Sequence, residues 1–291
     1  MPIDAAKALA AEPRTGEISW NSKDVQLYHL GIGAGANPDK DSPATDPDEL
    51  RYTLESRLHV LPSFATVAGS GSPGVISGLS MPGIEVDLAR VLHGGQSVVL
   101  QRPIPATGTA TATHRIAAVY DKGKAAVLVL RTEVADAEGP LWTNDSQIFI
   151  RGEGGFGGDR GPSARLDPPA GEPARIVERP IREDQALLYR LSGDWNPLHA
   201  DPEFAKVAGF ERPILHGLCT YGVTLKAVVD TLLGGDVTRV RSYVTRFAGV
   251  VYPGETLRIR MWAGEGSVRV AVSAIERDDA PVLADTVVEH T

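Results

Sequence analysis

Two rhythms of apolar residues run through this chain, and they come in the same order twice. Leu218, Tyr221, Gly222, Leu225, Val228, Val229 and Leu232 fall at steps of three and four, one stripe of a helix, and Gly234-Gly235 stops it. After it the rhythm drops to two, with Val240, Ser242, Val244 and Arg246 alternating and Val268, Val270 and Val272 sharing one face. Strands are predicted over residues 239–246, 256–262, 267–275 and 282–289. A short helix over 184–191, apolar at Leu187, Leu188 and Leu191 and closing on Gly193, comes before them.

The first half repeats the order. A short helix over 24–30 closes on Gly31, a longer one starts near 62–67 and breaks at 70–73, and strands follow over 109–120, 125–134 and 147–151. Residues 254–259 match 95–100. The pattern reads as an internal duplication, each half a sheet wrapped around its longer helix to bury the apolar stripe. Between the halves, Arg151-Gly-Glu-Gly-Gly-Phe-Gly-Gly158 and Pro162, Pro168, Pro169 and Pro173 suit neither helix nor central strand. The expected division is an N-terminal unit over 1–155, a Gly/Pro-rich linker over 156–177 and a C-terminal unit over 178–291. No Gly-Lys-Ser/Thr follows the glycines, so they are not a Walker loop.

Composition narrows the function. A net charge of −8 and 6% aromatic residues argue against a nucleic-acid binder. Cys219 is the only cysteine, which removes internal disulfides, CxxC redox pairs and Cys-based zinc sites. The densest apolar run, residues 125–130, is far short of a membrane span, and the first ten residues lack a signal-peptide core. A soluble cytoplasmic protein is expected.

Polar residues concentrate in Tyr189-Arg-Leu-Ser-Gly-Asp-Trp-Asn-Pro-Leu-His-Ala-Asp201. Asp194, Asn196 and His199 occupy a loop between the capping Gly193 and a new helix started by Asp201-Pro202. Such a loop can bring a carboxylate and an imidazole to one water; equally, Asp194 and Asn196 can simply close Asx turns, with His199 a surface residue. A second cluster, Arg212-Pro-Ile-Leu-His-Gly-Leu218, runs into the long helix and puts Gly217 at its N-terminus. Free first-turn amides there form an oxyanion hole, or are capped by water. His216 reads as a polar residue at the helix start. His199, Asp201, His216 and Asp194 match no zinc spacing, so no metal is expected, and no Gly-x-Ser-x-Gly elbow accompanies Ser192.

The run from Tyr189 to His199, with Ala205 beyond it, Pro213-Ile-Leu-His-Gly-Leu-Cys219, and the Gly-rich stretch resemble the MaoC-like, R-specific enoyl-CoA hydratases (hydratase 2). The resemblance spans essentially the whole chain. It implies an α+β double hotdog, two tandem antiparallel sheets each around a long helix, with chemistry kept only in the C-terminal half. Asp194 and His199 would then be the acid/base pair, Asn196 a positioning residue and the Gly217 N–H the oxyanion donor. Opposite this loop the first half offers Asn37-Pro38 for Asn196-Pro197, but Gly35 for Asp194 and Lys40 for His199, so it would shape the acyl pocket. The reaction implied is reversible hydration of trans-2-enoyl-CoA to (3R)-3-hydroxyacyl-CoA, in fatty-acid or steroid side-chain metabolism. CoA is part of the substrate, no cofactor is implied, and a homodimer is expected. Arg246, Phe247, Arg212, Arg151, Gly154, Gly155 and Lys206 are candidates for holding CoA. A 3-hydroxyacyl-carrier-protein dehydratase and a hotdog thioesterase or acyl-thioester-binding subunit remain alternatives.

Overall fold

A computed structural model describes residues 3–69, 82–86, 90–162, 165–167 and 169–291. Its first half contains α1 (Ala5–Leu9), β1 (Arg14–Trp20), α2 (Ser22–Gly31), α3 (Pro47–Leu50), a 3-10 turn at Pro62–Thr66, β2 (Val91–Leu100), β3 (Gly108–Asp121), β4 (Ala125–Asp136) and β5 (Gly139–Arg151). The second contains β6 (Arg175–Pro180), α4 (Gln185–Tyr189), α5 (Pro202–Val207), α6 (Gly217–Leu232), β7 (Val240–Phe247), β8 (Thr256–Gly264), β9 (Ser267–Ala274) and β10 (Ala280–His290). Residues 70–73, the expected helix break, and Pro168 lie outside the described residues. Among the described residues no helix is long and apolar enough to cross a membrane.

The strands form one antiparallel sheet in the order β1-β3-β4-β5-β2-β7-β10-β9-β8-β6. Read outward from its middle, the order is the same on both sides: β2 answers β7, β5 answers β10, β4 answers β9, β3 answers β8 and β1 answers β6. The two half-sheets are thus joined edge to edge through β2 and β7. The duplication is present in the topology, but one equivalence drawn from sequence is wrong. Residues 95–100 lie in β2, the counterpart of β7, whereas 254–259 lead into β8, the counterpart of β3. A glycine followed by apolar residues marks many strand entries, and that shared feature misaligned the two.

The longer helix expected from residues 62–67 is a 3-10 turn there. Gly69, at φ 77°, turns the chain soon after it, and a Cβ at that position would come 2.6 Å from Ile18 of β1. β1 and β6 carry no clear signal in the sequence because they are the two edges of the sheet. Most of their side chains are at least partly exposed on both faces, so inward apolar alternation is missing. β6 begins at Arg175, inside the expected linker. The Gly-rich stretch before it is tied down. Asp121, at the end of β3, accepts hydrogen bonds from the amides of Gly123, Gly155 and Gly157 at 2.8, 2.8 and 2.7 Å.

The two halves share one core. Val25, Tyr28 and Phe64 of the first half pack in the same cluster as Leu225, Val228, Leu257 and Val270 of the second. α6 runs through it, buried continuously from Cys219 to Val229. Each large apolar side chain buried this way contributes about 1.5–3 kcal/mol. Gly222 lets α2 approach this helix closely, since a Cβ there would come 2.6 Å from both Ile32 and the Tyr28 hydroxyl.

His29 of α2 shows how the core handles a titratable group. Its Nδ1–H donates to the Tyr52 carbonyl at 2.8 Å, and its Nε2 accepts from the Leu61 amide at 3.2 Å. Both contacts suit only the neutral ring. Burial pushes its pKa down to about 3, against a backbone hydrogen bond to Tyr52 that raises it. The folded value lies below the unfolded one, so this contribution to stability is present above pH ~6.5 and is lost as pH falls toward the folded value. Urea denaturation should show stability declining by about 1.4 kcal/mol per pH unit from this residue below that point. Constant stability from neutrality to pH ~5 would contradict it.

Candidate active site

The loop that carries the polar cluster is shaped by turns that the sequence encodes. Gly193, at φ 125°, turns the chain away from α4. Asp194 Oδ1 accepts from the Asn196 amide at 3.1 Å, and Asn196 Oδ1 accepts from the Leu198 amide at 3.0 Å. Pro197 then opens a single 3-10 turn that ends on His199. Asp201 caps α5 through the amides of Glu203 and Phe204. The Asx turns are therefore present, but they leave Asp194 Oδ2 free to face His199 Nε2, 3.9 Å away.

Asn37 of the first half makes the same turn, accepting from the Asp39 amide at 3.0 Å. That half has no acid/base pair at the matching positions: the Gly35 amide donates to Glu49, and Lys40 pairs with Asp46 and Asp48. Asn196 closes the equivalent turn in the second half, accepting from the Leu198 amide.

His199 is held in one tautomer. Its Nδ1 donates to the Ile214 carbonyl at 2.8 Å, which leaves the Nε2 lone pair toward Asp194. Burial lowers its pKa, while the Asp194 carboxylate and the Ile214 carbonyl pull it back up. His216 caps α6 in position only, with no side-chain hydrogen bond to the helix. Its ring instead stacks on His199, centroids 3.7 Å apart and planes 28° from parallel, and its Nε2–H donates to the Asp194 carbonyl at 3.2 Å. Burial, then the neighbouring His199, push its pKa well down. Both rings are neutral near pH 7. His216 thus ties the loop to the start of α6, a role its sequence position next to Gly217 only hints at.

Ligand atoms of Asp194, His199 and His216 all lie within 4.8 Å of one another, a grouping that raises the question of a metal. Imidazole lone pairs lie in the ring planes, and the planes of two stacked rings do not converge on an ion between them. The donor set fits an acid/base pair better than a metal centre.

Gly217 is the first residue of α6, and no side chain caps the helix. Its amide has the orientation and partial charge of a helix N-terminus. A Cβ here would come 3.0 Å from the Phe247 ring. Phe247 also meets His93 of β2, ring centroids 4.8 Å apart. His93 belongs to no motif and lies in the other half, so nothing in the spacing of the sequence points to it. Arg190 sits inside the polar run without drawing a role; it covers Trp195 at 4.9 Å, donates to the Trp195 carbonyl, and its charge lowers the pKa of both site histidines.

The expected CoA contacts separate into three places. Phe247 and its neighbour Arg246 stand beside the site, with Arg246 Nε donating to Asp285 at 2.6 Å. Arg212 lies over Tyr252 and donates to the Pro253 carbonyl, while Lys206 pairs with Glu203 on exposed α5. Arg151, Gly154 and Gly155 sit by the β3–β4 turn. There the Gly155 amide is taken by Asp121, and a Cβ on Gly154 would come 2.6 Å from Ala125. The Gly155 amide is thus already paired, and the close approach to Ala125 explains a glycine at 154.

Known proteins resemble this chain along its length. Residues 18–152 match the family model of the MFE-2 hydratase 2 N-terminal domain, and residues 166–279 match that of the MaoC like domain. The chain is 48% identical to Enoyl-CoA hydratase ChsH3 of Mycobacterium tuberculosis, over 98% of each chain. It is 39% identical to the peroxisomal Enoyl-CoA hydratase 2 of Arabidopsis thaliana, over 91% of this chain and 89% of that one. The crystal structure of a MaoC-like dehydratase from Phytophthora capsici superposes with a TM-score of 0.88 at 33% identity, covering 99% of this chain and 98% of the other. The chain belongs to the MaoC-like hydratase 2 family, and its fold is the double hotdog.

Proposed function

We propose that this chain adds water reversibly to trans-2-enoyl-CoA, yielding (3R)-3-hydroxyacyl-CoA, at one site in its C-terminal half. The observation that carries the reading is Asp194 Oδ2 facing the unprotonated Nε2 of His199, with their loop tied to the helix start that holds Gly217. A separation of 3.9 Å is too long for a direct hydrogen bond and suits one water touching both groups. Relatives named enoyl-CoA hydratase and 3-hydroxyacyl-thioester dehydratase support the same chemistry in its two directions.

In hydration, the water oxygen bonds to C3 as one of its protons passes to the Asp194/His199 pair. The C2=C3 electron pair moves toward the thioester, whose oxygen gains negative charge against the Gly217 N–H. The pair then returns a proton to C2 on the same face, so water is added with no net change to the enzyme. Coupled groups share their titration, and the pair acts as a unit. Asn196 keeps the loop in shape. In this reading the first half contributes the acyl pocket, and Arg246, next to Phe247 and paired with Asp285, is a candidate to meet the CoA end.

The test is loss of enoyl-thioester absorbance on crotonyl-CoA and on the matching carrier-protein thioester, with free thiol followed in parallel. Hydration of the CoA ester without thiol release is expected. Thiol release would make the protein a thioesterase, and activity confined to the carrier-protein substrate would make it a carrier-protein dehydratase. We also expect a cytoplasmic homodimer, which light scattering would report as twice the 30.9 kDa chain mass.

The pH dependence follows from His199. Only its neutral form accepts a proton, and burial shifts its titration below the ordinary 6.5. The acid limb of kcat/KM for hydration should therefore lie below pH ~6.5. A limb above that value would contradict the tautomer and burial described here.

A further inference from the structure

His93 sits in the half that lacks the acid/base pair, yet it reaches the site of the other half. Its strand, β2, is the one through which the two halves join, pairing with β7 from Gly95 opposite Arg246 to Val99 opposite Ser242. The pairing of β2 with β5 shifts register between His93 and Gly95, a bulge that re-aims the side chain beside it. The bulge needs its glycines, since a Cβ on Gly95 would come 2.9 Å from the Thr245 carbonyl oxygen.

At this bulge the His93 ring meets Phe247, and Phe247 in turn closes on Gly217. His93 Nε2 is buried and has no hydrogen-bond partner among the described residues. Buried polar atoms are almost always paired, so one left open beside a reaction site calls for a partner that arrives with the substrate. Burial pushes the ring's pKa down to about 4, while hydrogen bonding to the Gly95 backbone and the Gln96 side chain and then the Asp194 charge pull the other way, so His93 is neutral and within electrostatic reach of Asp194. A neutral imidazole offers this nitrogen one hydrogen bond and no charge.

We propose that His93 is a third contact to the reacting oxygen: its Nε2 hydrogen-bonds the water that attacks C3 in hydration and the 3-hydroxyl in the reverse direction. It takes no proton; it holds the oxygen while Asp194 and His199 exchange protons with it. The inference rests on the hydratase reading above. It makes the first half a contributor to chemistry as well as to the pocket.

Two substitutions separate this role from packing. His93→Phe keeps an aromatic edge on Phe247 and removes the nitrogen; His93→Gln keeps a polar group and removes the ring. The expected result is a kcat about tenfold lower for His93→Phe, with KM for crotonyl-CoA nearly unchanged, and substantial recovery in His93→Gln. A packing role reverses the order, leaving His93→Phe normal and His93→Gln impaired, and overturns the proposal. Nitrogen NMR of the histidines in the unsubstituted protein gives a second readout that needs no variant to fold. The His93 Nε2 resonance should shift when (3R)-3-hydroxybutyryl-CoA is added, and a resonance that stays in place overturns the proposal. Failure of the unsubstituted protein to hydrate any enoyl thioester would sink the hydratase reading itself, whereas hydration with an unimpaired His93→Phe defeats this inference alone.

Discussion

Replacing Asp194 with Asn, or His199 with Gln, lowers the hydration rate on the order of a hundred- to ten-thousand-fold while leaving the fold intact. The fold should survive because each replacement keeps the structural contact of the original side chain. Asn keeps an oxygen for the Asn196 amide, now held by Asp194 Oδ1, and Gln can still reach the Ile214 carbonyl that His199 meets. The chemistry should not survive, because each change removes one of the two groups proposed to share the water. The double variant should be little worse than either single one, since groups that act as a unit lose their effect together. Steady-state kinetics on crotonyl-CoA, with circular dichroism to check folding, measures both points. Near-normal turnover in either single variant would remove the pair from the mechanism.

The second large effect concerns stability and lies outside the active site. Lys226 of α6 is buried and pairs with Glu49 at 2.7 Å and Asp230 at 2.8 Å. Asp230 also accepts from the Tyr52 hydroxyl at 2.6 Å, and the other Glu49 oxygen accepts from the Gly35 amide. The cluster therefore joins the central helix of the second half to the degenerate loop of the first. Substituting Lys226 with Met strands two carboxylates, and a buried pair broken on one side costs about 3–5 kcal/mol. Adding Glu49→Gln should recover part of that loss, because it removes one stranded charge. Thermal and urea melts of the single and double variants measure the coupling. A Lys226→Met protein as stable as the original would show that water reaches the cluster and screens it.

Sequence and structure agree best where local chemistry decides the outcome. The stripe from Leu218 to Leu232 is a helix, Asp201-Pro202 starts one, and Gly193 turns the chain, because caps and periodicity act over a few residues. The loop joining Asp194 to His199 is legible for the same reason. Edge strands β1 and β6 are not, because exposed edges need no apolar face. The pairing of β2 with β7 is hidden as well, since a sheet built across two halves depends on long-range register that spacing does not reveal. His216 and His93 owe their positions to that packing. One stacks on His199 from the helix start, and the other approaches through a bulge in a strand of the opposite half. The Gly-rich run offers Gly154 and Gly155 as CoA candidates, while the contacts that hold them, to Ala125 and Asp121, depend on a strand turn that spacing does not reveal.

The most direct test of a single syn-hydrating site is the stereochemistry of its product. Crotonyl-CoA hydrated in D₂O should yield 3-hydroxybutyryl-CoA of R configuration at C3, with deuterium at C2 added to the same face as the hydroxyl. In the proposed mechanism Asp194 and His199 share one water and return its proton from the same side, which requires hydroxyl and deuterium on one face, while the R configuration tests the proposed product. An S product, or deuterium on the opposite face, would contradict the account.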